Sequence, residues 1–477
     1  MAEKTIKETI IAAADLGSSK ISLAVARVSE GNTQMQFYRE WPSEGIRDGM
    51  VTNPPKVARV LKKAIDTVRS ELQLNILQMV VNLPKYGVMQ QTAEHTVQRS
   101  NPDECITQQE VDNIKGMAMD SYSLDDPDHE QIYAAIVQSF SDDESFQLSE
   151  EDIVGEMSST LKGNFKILIG RRSSIKALEM VFNSLNIALA KTYFSPCTIH
   201  KAVLSDEEME NGVALLDFGG GVTSMAIYQK NILRHYAAVP YGGKVVTSDI
   251  KTECSVSPEL AENIKLAFGA CLPDKLANMD EKIIQVEDLD IEDFKQIPVK
   301  YLSEIINSRE MEIVDALLFE ISESGYANKL RSGIVITGGG AKVTNLANLI
   351  REMSGYTVRL GMPRHLFNAD DCPEVHTPSA TNAVGLVLAA KDDPHVVSCV
   401  DRPKRVVAKK AVETPAAEPE AVEPQETIQS VPEAPVPDNV ETKGKGKGKK
   451  PGFWKKIGTG IGHMYDRAGE EEGTETV

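Results

Sequence analysis

The chain has 477 residues, 41% apolar and 25% charged, with 51 Lys and Arg against 70 Asp and Glu for a net charge of −19; it is long enough for two or three packed domains, which excludes a mini-protein or a chain disordered throughout. All but one unit of that excess lies on residues 1–400, and a diffusely acidic body excludes nucleic acid as a main partner, because phosphates call for clustered Lys and Arg. Six scattered cysteines make no CxxC pair and have no His at metal-ligand spacing, which favours a reduced, cytosolic compartment over a disulfide scaffold.

In chain order, an apolar run from Ile10 to Ala14 ends in Asp15, turns through Gly17, Ser18 and Ser19, and continues as an alternating strand from Ile21 to Val28. Five apolar residues are too few for a signal-peptide core, and no stretch approaches the ~20 needed to cross a bilayer. Pro54-Pro55 opens a helix whose Val57, Val60, Leu61, Ala64, Ile65, Val68 and Leu72 recur at the spacing of one buried face. Ile76 to Leu83 reads as a strand. The segment from Leu83 to about Lys166 is mixed, with a helix over Gln108 to Met119 and a strand over Ile132 to Phe140; lacking a catalytic constellation, it reads as a self-assembly or partner surface. Then come a strand at Phe165 to Ile169, a helix at Ile175 to Leu185, strands at Val213 to Leu216 and Thr223 to Tyr228, a helix at Ile305 to Ile321 and a strand at Gly333 to Thr337. Short strands alternating with helices indicate an α/β or α+β body with covered sheets.

From Asp401 the composition turns to Pro, Ala, Glu and Val without periodicity, the mark of a disordered linker, and residues 443–450 read KGKGKGKK. A linker of about fifty residues reaches roughly 40 Å. Beyond Pro451, helical projection of Gly452 to Arg467 gathers Phe453, Trp454, Ile457, Ile461, Met464 and Tyr465 on one side and Lys455 and Lys456 on the other. That pattern predicts a helix lying in the interface of an anionic bilayer, where each Lys contributes about 1 kcal/mol. Gly458, Gly460 and Gly462 argue that it folds on contact, at about 1 kcal/mol each against Ala. A helix docking on the body or on a partner is the alternative. Four Glu residues in Ala468 to Val477 would weaken anchoring and leave it to avidity.

The most informative feature is a repeat: residues 10–28 and 213–228 both run apolar strand, Asp, small-residue turn with Gly, alternating strand. A carboxylate ending an apolar strand is costly to bury unless it faces a cation or water, and Gly or Ser lets turn N–H groups approach an anion. Two such turns facing each other would clamp a polyphosphate, with Asp15 and Asp217 holding Mg²⁺ through its waters. Gly17, Ser18, Ser19 and Lys20 would supply one side, and Gly219, Gly220, Gly221 and Thr223 the other. The triple glycine Gly338, Gly339 and Gly340, set between a strand and a helix, would pack flat against a base or sugar. A single DxG turn is common in hairpins, and a strand, triple Gly and helix can be tight packing alone.

Together these motifs resemble the phosphate-one, phosphate-two and adenosine motifs of the actin-like ATPase superfamily. Residues 9–390 and the terminal helix are similar to the FtsA family of bacterial cell-division proteins, as are VPYGGKVVTSDI (239–250) and SPELAENIKLAFG (257–269). The resemblance implies an actin-like, duplicated two-lobe fold with an inserted FtsA-type subdomain. The first lobe would comprise residues 1–82 and 167–205, the insertion 83–166, the second lobe 206–400, the linker 401–451, the membrane helix 452–467 and an acidic tail 468–477. It further implies ATP as ligand, with Glu262 and Lys265 toward the adenosine; a solvent-exposed helical pair is the alternative. Arg309 and Glu312, three apart on one helix face, map onto the site for the C-terminal tail of the tubulin-like protein FtsZ; an ordinary surface ion pair is the alternative. The implied function is a structural adaptor that tethers FtsZ filaments to the cytoplasmic face of the membrane. Self-association into an actin-like protofilament, binding of later division proteins and, at most, slow ATP hydrolysis go with it. An actin-like pilus-assembly protein and a small-molecule kinase are the alternatives.

Overall fold

A computed structural model describes residues 8–29, 31–276, 279, 281–287, 294–364 and 366–401. All fall in the first of the chain's two units, Met1–Val406. The predicted linker and membrane helix, with Phe453, Trp454, Lys455, Lys456, Ile457, Ile461, Met464 and Tyr465, lie outside the described residues.

Strand β1 (Thr9–Leu16) is apolar on both faces and buried from Ile10 onward, as expected of a strand covered on both sides. β2 (Lys20–Ser29) and β3 (Asn32–Pro42) follow as antiparallel neighbours. α1 (Pro54–Leu72) starts where the Asn53 side chain accepts from the Lys56 N–H and two prolines preset the first turn. Its Val57, Val60, Leu61, Ile65 and Val68 are buried against the sheet, each contributing up to about 1.5–3 kcal/mol before chain entropy. β4 (Gln78–Leu83) lies parallel to β1. After it come β5 (Met89–Gln98), α2 (Gln108–Ser121), β6 (Glu130–Ser141), β7 (Thr160–Arg171), α3 (Arg172–Ser184) and β8 (Ala188–Phe194). The first sheet has the order β8-β4-β1-β2-β3, and β5-β7-β6 form a separate antiparallel sheet. α2 and this small sheet share their own core around Ile114, Phe140, Phe165 and Ile167.

The second half repeats the first. β9 (Val213–Phe218), β10 (Thr223–Gln229) and β11 (Ile232–Val239) make two antiparallel hairpins, followed by α4 (Gly243–Glu253), α5 (Pro258–Phe268), α6 (Val299–Glu323), β12 (Ile334–Thr337), α7 (Leu346–Ser354), β13 (Val358–Leu360) and α8 (Thr381–Asp392). The second sheet runs β11-β10-β9-β12-β13, the same arrangement of three antiparallel strands flanked by two parallel ones. The rungs match: Asp15 pairs with Ser22 across β1 and β2, and Asp217 with Ser224 across β9 and β10.

α8 is buried from Thr381 to Ala390 and packs with Ile11, Ala13 and Ala24 of the first sheet and Val213, Leu215 and Ala226 of the second, so the two sheets share one core. A Cβ on Gly385 would lie 2.9 Å from the Thr198 carbonyl oxygen. Gly385→Val should therefore lower unfolding stability by about 1–3 kcal/mol, read as an earlier urea midpoint.

Two elements differ from the sequence reading. The strand expected over Ile76 to Leu83 breaks at Leu77, whose N–H donates to the Cys399 carbonyl (2.9 Å). Asn75 and Ile76 pair instead with Asp401 and Val400: the chain changes partner there. The helix after the triple glycine starts only at Leu346, because Gly340–Lys342 form a 3₁₀ turn and Asn345 sits in the left-handed region at φ 65°.

Candidate functional site

The two Asp-ended strands deliver their turns to one place. In the first hairpin the Gly17 N–H donates to the Lys20 carbonyl (3.0 Å), and in the second the Gly219 N–H donates to the Val222 carbonyl (3.0 Å). The tips meet: a Cβ on Gly220 would fall on the Ser19 hydroxyl and 3.1 Å from its nitrogen, and one on Gly221 would lie 2.7 Å from the Ser18 hydroxyl. Lys244, at the start of α4, donates through Nζ to the Ser18 carbonyl (2.6 Å). Its N–H and that of Gly243 donate to the carbonyls of Gly220 (2.8 Å) and Gly219 (3.0 Å). The first hairpin, the second hairpin and a helix N-terminus are thus one contiguous wall.

Both carboxylates are buried, Asp15 at 7% and Asp217 at 4% exposure. Burial pushes the Asp15 carboxyl above the usual carboxylate range; Lys85 and Lys20 pull it down, and Asp217 adds to the push. Asp217 accepts from the ammonium of Lys85 and from Asn382 Nδ2 (3.1 Å). Lys85 is the residue sequence reasoning missed. The available signal was its place two residues past the end of β4, a strand adjacent to β1.

The remaining predicted residues divide. Lys265 Nζ donates to the Gly243 carbonyl (2.8 Å), Thr247 Oγ1 (2.7 Å) and Glu262 Oε2 (2.8 Å), which ties α5 to the wall. Gly338, at φ +90°, lies against the Asp217 carboxylate and the Phe218 carbonyl; Gly340 packs on Phe218, and Gly339 has open space where a side chain would be. Lys20 is engaged by Glu40 and the Ser379 carbonyl (3.0 Å). The Thr223 hydroxyl donates to the Tyr241 carbonyl (2.9 Å), so both of these side chains brace the turns. The Ser18 hydroxyl accepts from the Gly49 N–H (2.8 Å).

Arg309 and Glu312 lie on α6. Their pairing (2.5 Å) is accompanied by two bonds from Arg309 to Asp249 of α4 (2.6 and 3.1 Å), a bidentate contact that sequence spacing does not reveal. The neighbouring Glu310 is buried at 3% exposure, and its Oε2 finds no hydrogen-bond partner among the described residues. Burial pushes its carboxyl up to about 7, with Lys265 pulling back. A carboxyl raised on folding favours the protonated form, so its stability is complete below the ordinary 4.5 and is lost as pH rises through about 7, on the order of 3 kcal/mol. Urea midpoints should fall between pH 5 and pH 8, and Glu310→Gln should flatten that fall.

Among the described residues no helix is long and apolar enough to cross a membrane, and no three His, Cys, Asp or Glu side chains converge as metal ligands.

Comparison with known proteins bears on this arrangement. The family described as Cell division protein FtsA matches residues 214–385, which span the second hairpin, α5, α6 and the triple glycine. Proteins named Cell division protein FtsA align along most of the chain. The one from Borreliella burgdorferi is 28% identical, covering 80% of this chain and 91% of its own length. The one from Escherichia coli K12 is 25% identical, covering 85% and 96%. In structure, a chain of the PilM-PilN type IV pilus biogenesis complex superposes with TM-score 0.57 at 14% identity, covering 82% of this chain and all of that one. The fold is the duplicated, actin-like one.

Proposed function

We propose that this relative of the FtsA cell-division proteins is an ATP-binding, actin-like adaptor that ties FtsZ filaments to the cytoplasmic face of the membrane. The observation that carries the reading is the meeting of the two Asp-ended hairpins, Asp15 to Lys20 and Asp217 to Thr223, with the α4 N-terminus beside them. Turn N–H groups of this kind suit a polyphosphate, while the Gly243 and Lys244 N–H groups at the α4 start hold the second hairpin through the Gly219 and Gly220 carbonyls. Glu262 and Lys265 would face the adenosine, and Gly339, open where a side chain would stand, would let the sugar or base lie flat.

A Mg²⁺ carried with the nucleotide would meet Asp15 and Asp217. Two carboxylates without a third ligand fit an ion that keeps most of its waters, and it would supply charge to the β- and γ-phosphates. Hydrolysis, if it occurs, is slow, and ATP serves as a structural ligand of filament assembly.

The 83–166 insertion is read as the surface for self-association and for later division proteins, Arg309 and Glu312 as the FtsZ-tail site, and residues 452–467 as the lipid anchor. The Arg309 side chain is already held by Asp249 and Glu312, so a peptide would meet a preset guanidinium. The second reading, a pilus-assembly protein, draws on the likeness in fold to a chain of the PilM-PilN complex.

Fluorescence anisotropy with a labelled FtsZ C-terminal peptide separates the two. The adaptor reading expects saturable binding to the full chain that Arg309→Glu weakens at least about tenfold. Absence of binding, or binding indifferent to the reversal, sinks the tail-site assignment. Flotation with anionic vesicles, comparing the full chain with one ending at Lys410, tests the anchor; equal flotation refutes it.

A further inference from the structure

We propose that Lys85 is a built-in cation of this cleft: its ammonium, set between the lobes against Asp217 and beside Asp15, supplies positive charge to a bound nucleotide's phosphates and makes nucleotide affinity nearly independent of divalent metal. The inference rests on the nucleotide-site reading above.

The placement is built from both lobes. Lys85 follows Leu83-Pro84 at the end of β4, which lies parallel to β1 in the first sheet, so it emerges beside the strand that ends in Asp15. Its carbonyl accepts from the hydroxyl of Tyr236, a buried residue of β11 in the second lobe, so the backbone is pinned where the side chain leaves it. The ammonium contacts Asp217 of β9. Pair exposure is low, 14% for the Lys85 side chain and 5% for that of Asp217. Behind the pair, Lys85, Asp217 and Ser195 line a void no larger than a water molecule, and the buried Ser195 hydroxyl has no partner among the described residues. Charge held in so dry a setting acts on its neighbours more strongly than it would in bulk water.

The same contacts limit what a metal can add. One Asp217 oxygen takes both Lys85 and Asn382, so only its other oxygen, beside Gly338, is left to face a metal's waters. Asp15 is the other carboxylate. Mg²⁺ asks for near-octahedral oxygens and gives up water reluctantly, whereas a Lys ammonium is a point charge with three donors already in position.

The test is a calorimetric titration of ATP into the full chain, once with excess Mg²⁺ and once with excess EDTA. For the native chain, EDTA should weaken binding by less than about tenfold; for Lys85→Met the loss should exceed about tenfold, and Mg²⁺ should restore most of it. Lys85→Arg, which keeps the charge, should behave as the native chain does. The proposal is overturned if EDTA weakens the native chain by tenfold or more, an arm that needs no variant to fold, or if Lys85→Met is no more metal-dependent than the native chain. Absence of heat in both buffers would overturn the nucleotide-site reading, and this proposal with it.

Discussion

Lys85→Met should destabilise the folded body by about 3–5 kcal/mol, because it removes one member of a buried ion pair and leaves Asp217 with an uncompensated charge. Asp217 would keep only the Asn382 amide (3.1 Å). The double change Lys85→Met with Asp217→Asn should recover most of that loss, since it removes both charges together; replacing a whole buried pair is often close to neutral. Urea denaturation of the native chain, the single variant and the double variant reads this directly. If the single variant unfolds at the native midpoint, the pair contributes no stability and Asp217 is solvated in some other way.

Gly338→Ala is the second large effect. A side chain at φ +90° costs about 1–2 kcal/mol from backbone strain. The new Cβ would press on the Asp217 carboxylate and come 2.5 Å from the Phe218 carbonyl oxygen, and overpacking adds about 1–3 kcal/mol. The sum of about 2–5 kcal/mol falls on the turn at the end of β12, packed on Asp217 and Phe218 of the second hairpin, so nucleotide binding should be lost along with stability. Gly339→Ala, at a position with open space around it, is the matched control and should stay within about 0.5 kcal/mol of the native chain. Equal unfolding midpoints for the two variants would show that the close approach at Gly338 is relaxed in solution.

What the sequence discloses here is what is local. An apolar run ending in Asp and followed by small residues specifies its own strand and turn, so Asp15, Gly17, Asp217 and Gly219 stand out as a repeat in the sequence itself. α1 could be read from its spacing and its two prolines. The contacts that hold the side chains of the site and of α6 are not local. Lys85 meets Asp217 across 132 positions, Asn382 reaches the same carboxylate across 165, and Arg309 grips Asp249 across 60. Periodicity and motif spacing carry no information about such pairs. For the same reason Thr223 and Lys20, chosen from their place in the turns, could not be seen to spend their polar atoms on Tyr241, Glu40 and Ser379. The change of partner at Leu77 depends on Cys399 and Val400, more than three hundred residues away, which is why an unbroken strand was the natural expectation.

The central claim is that hairpins from two lobes close on one nucleotide. Amide hydrogen exchange of the full chain, with and without saturating ATP, tests it at both places in a single measurement. Amides in residues 15–20 and in residues 217–223 should both slow on adding ATP, with the same concentration midpoint. Slowing confined to one hairpin, or none in either while ATP is demonstrably bound, would contradict it.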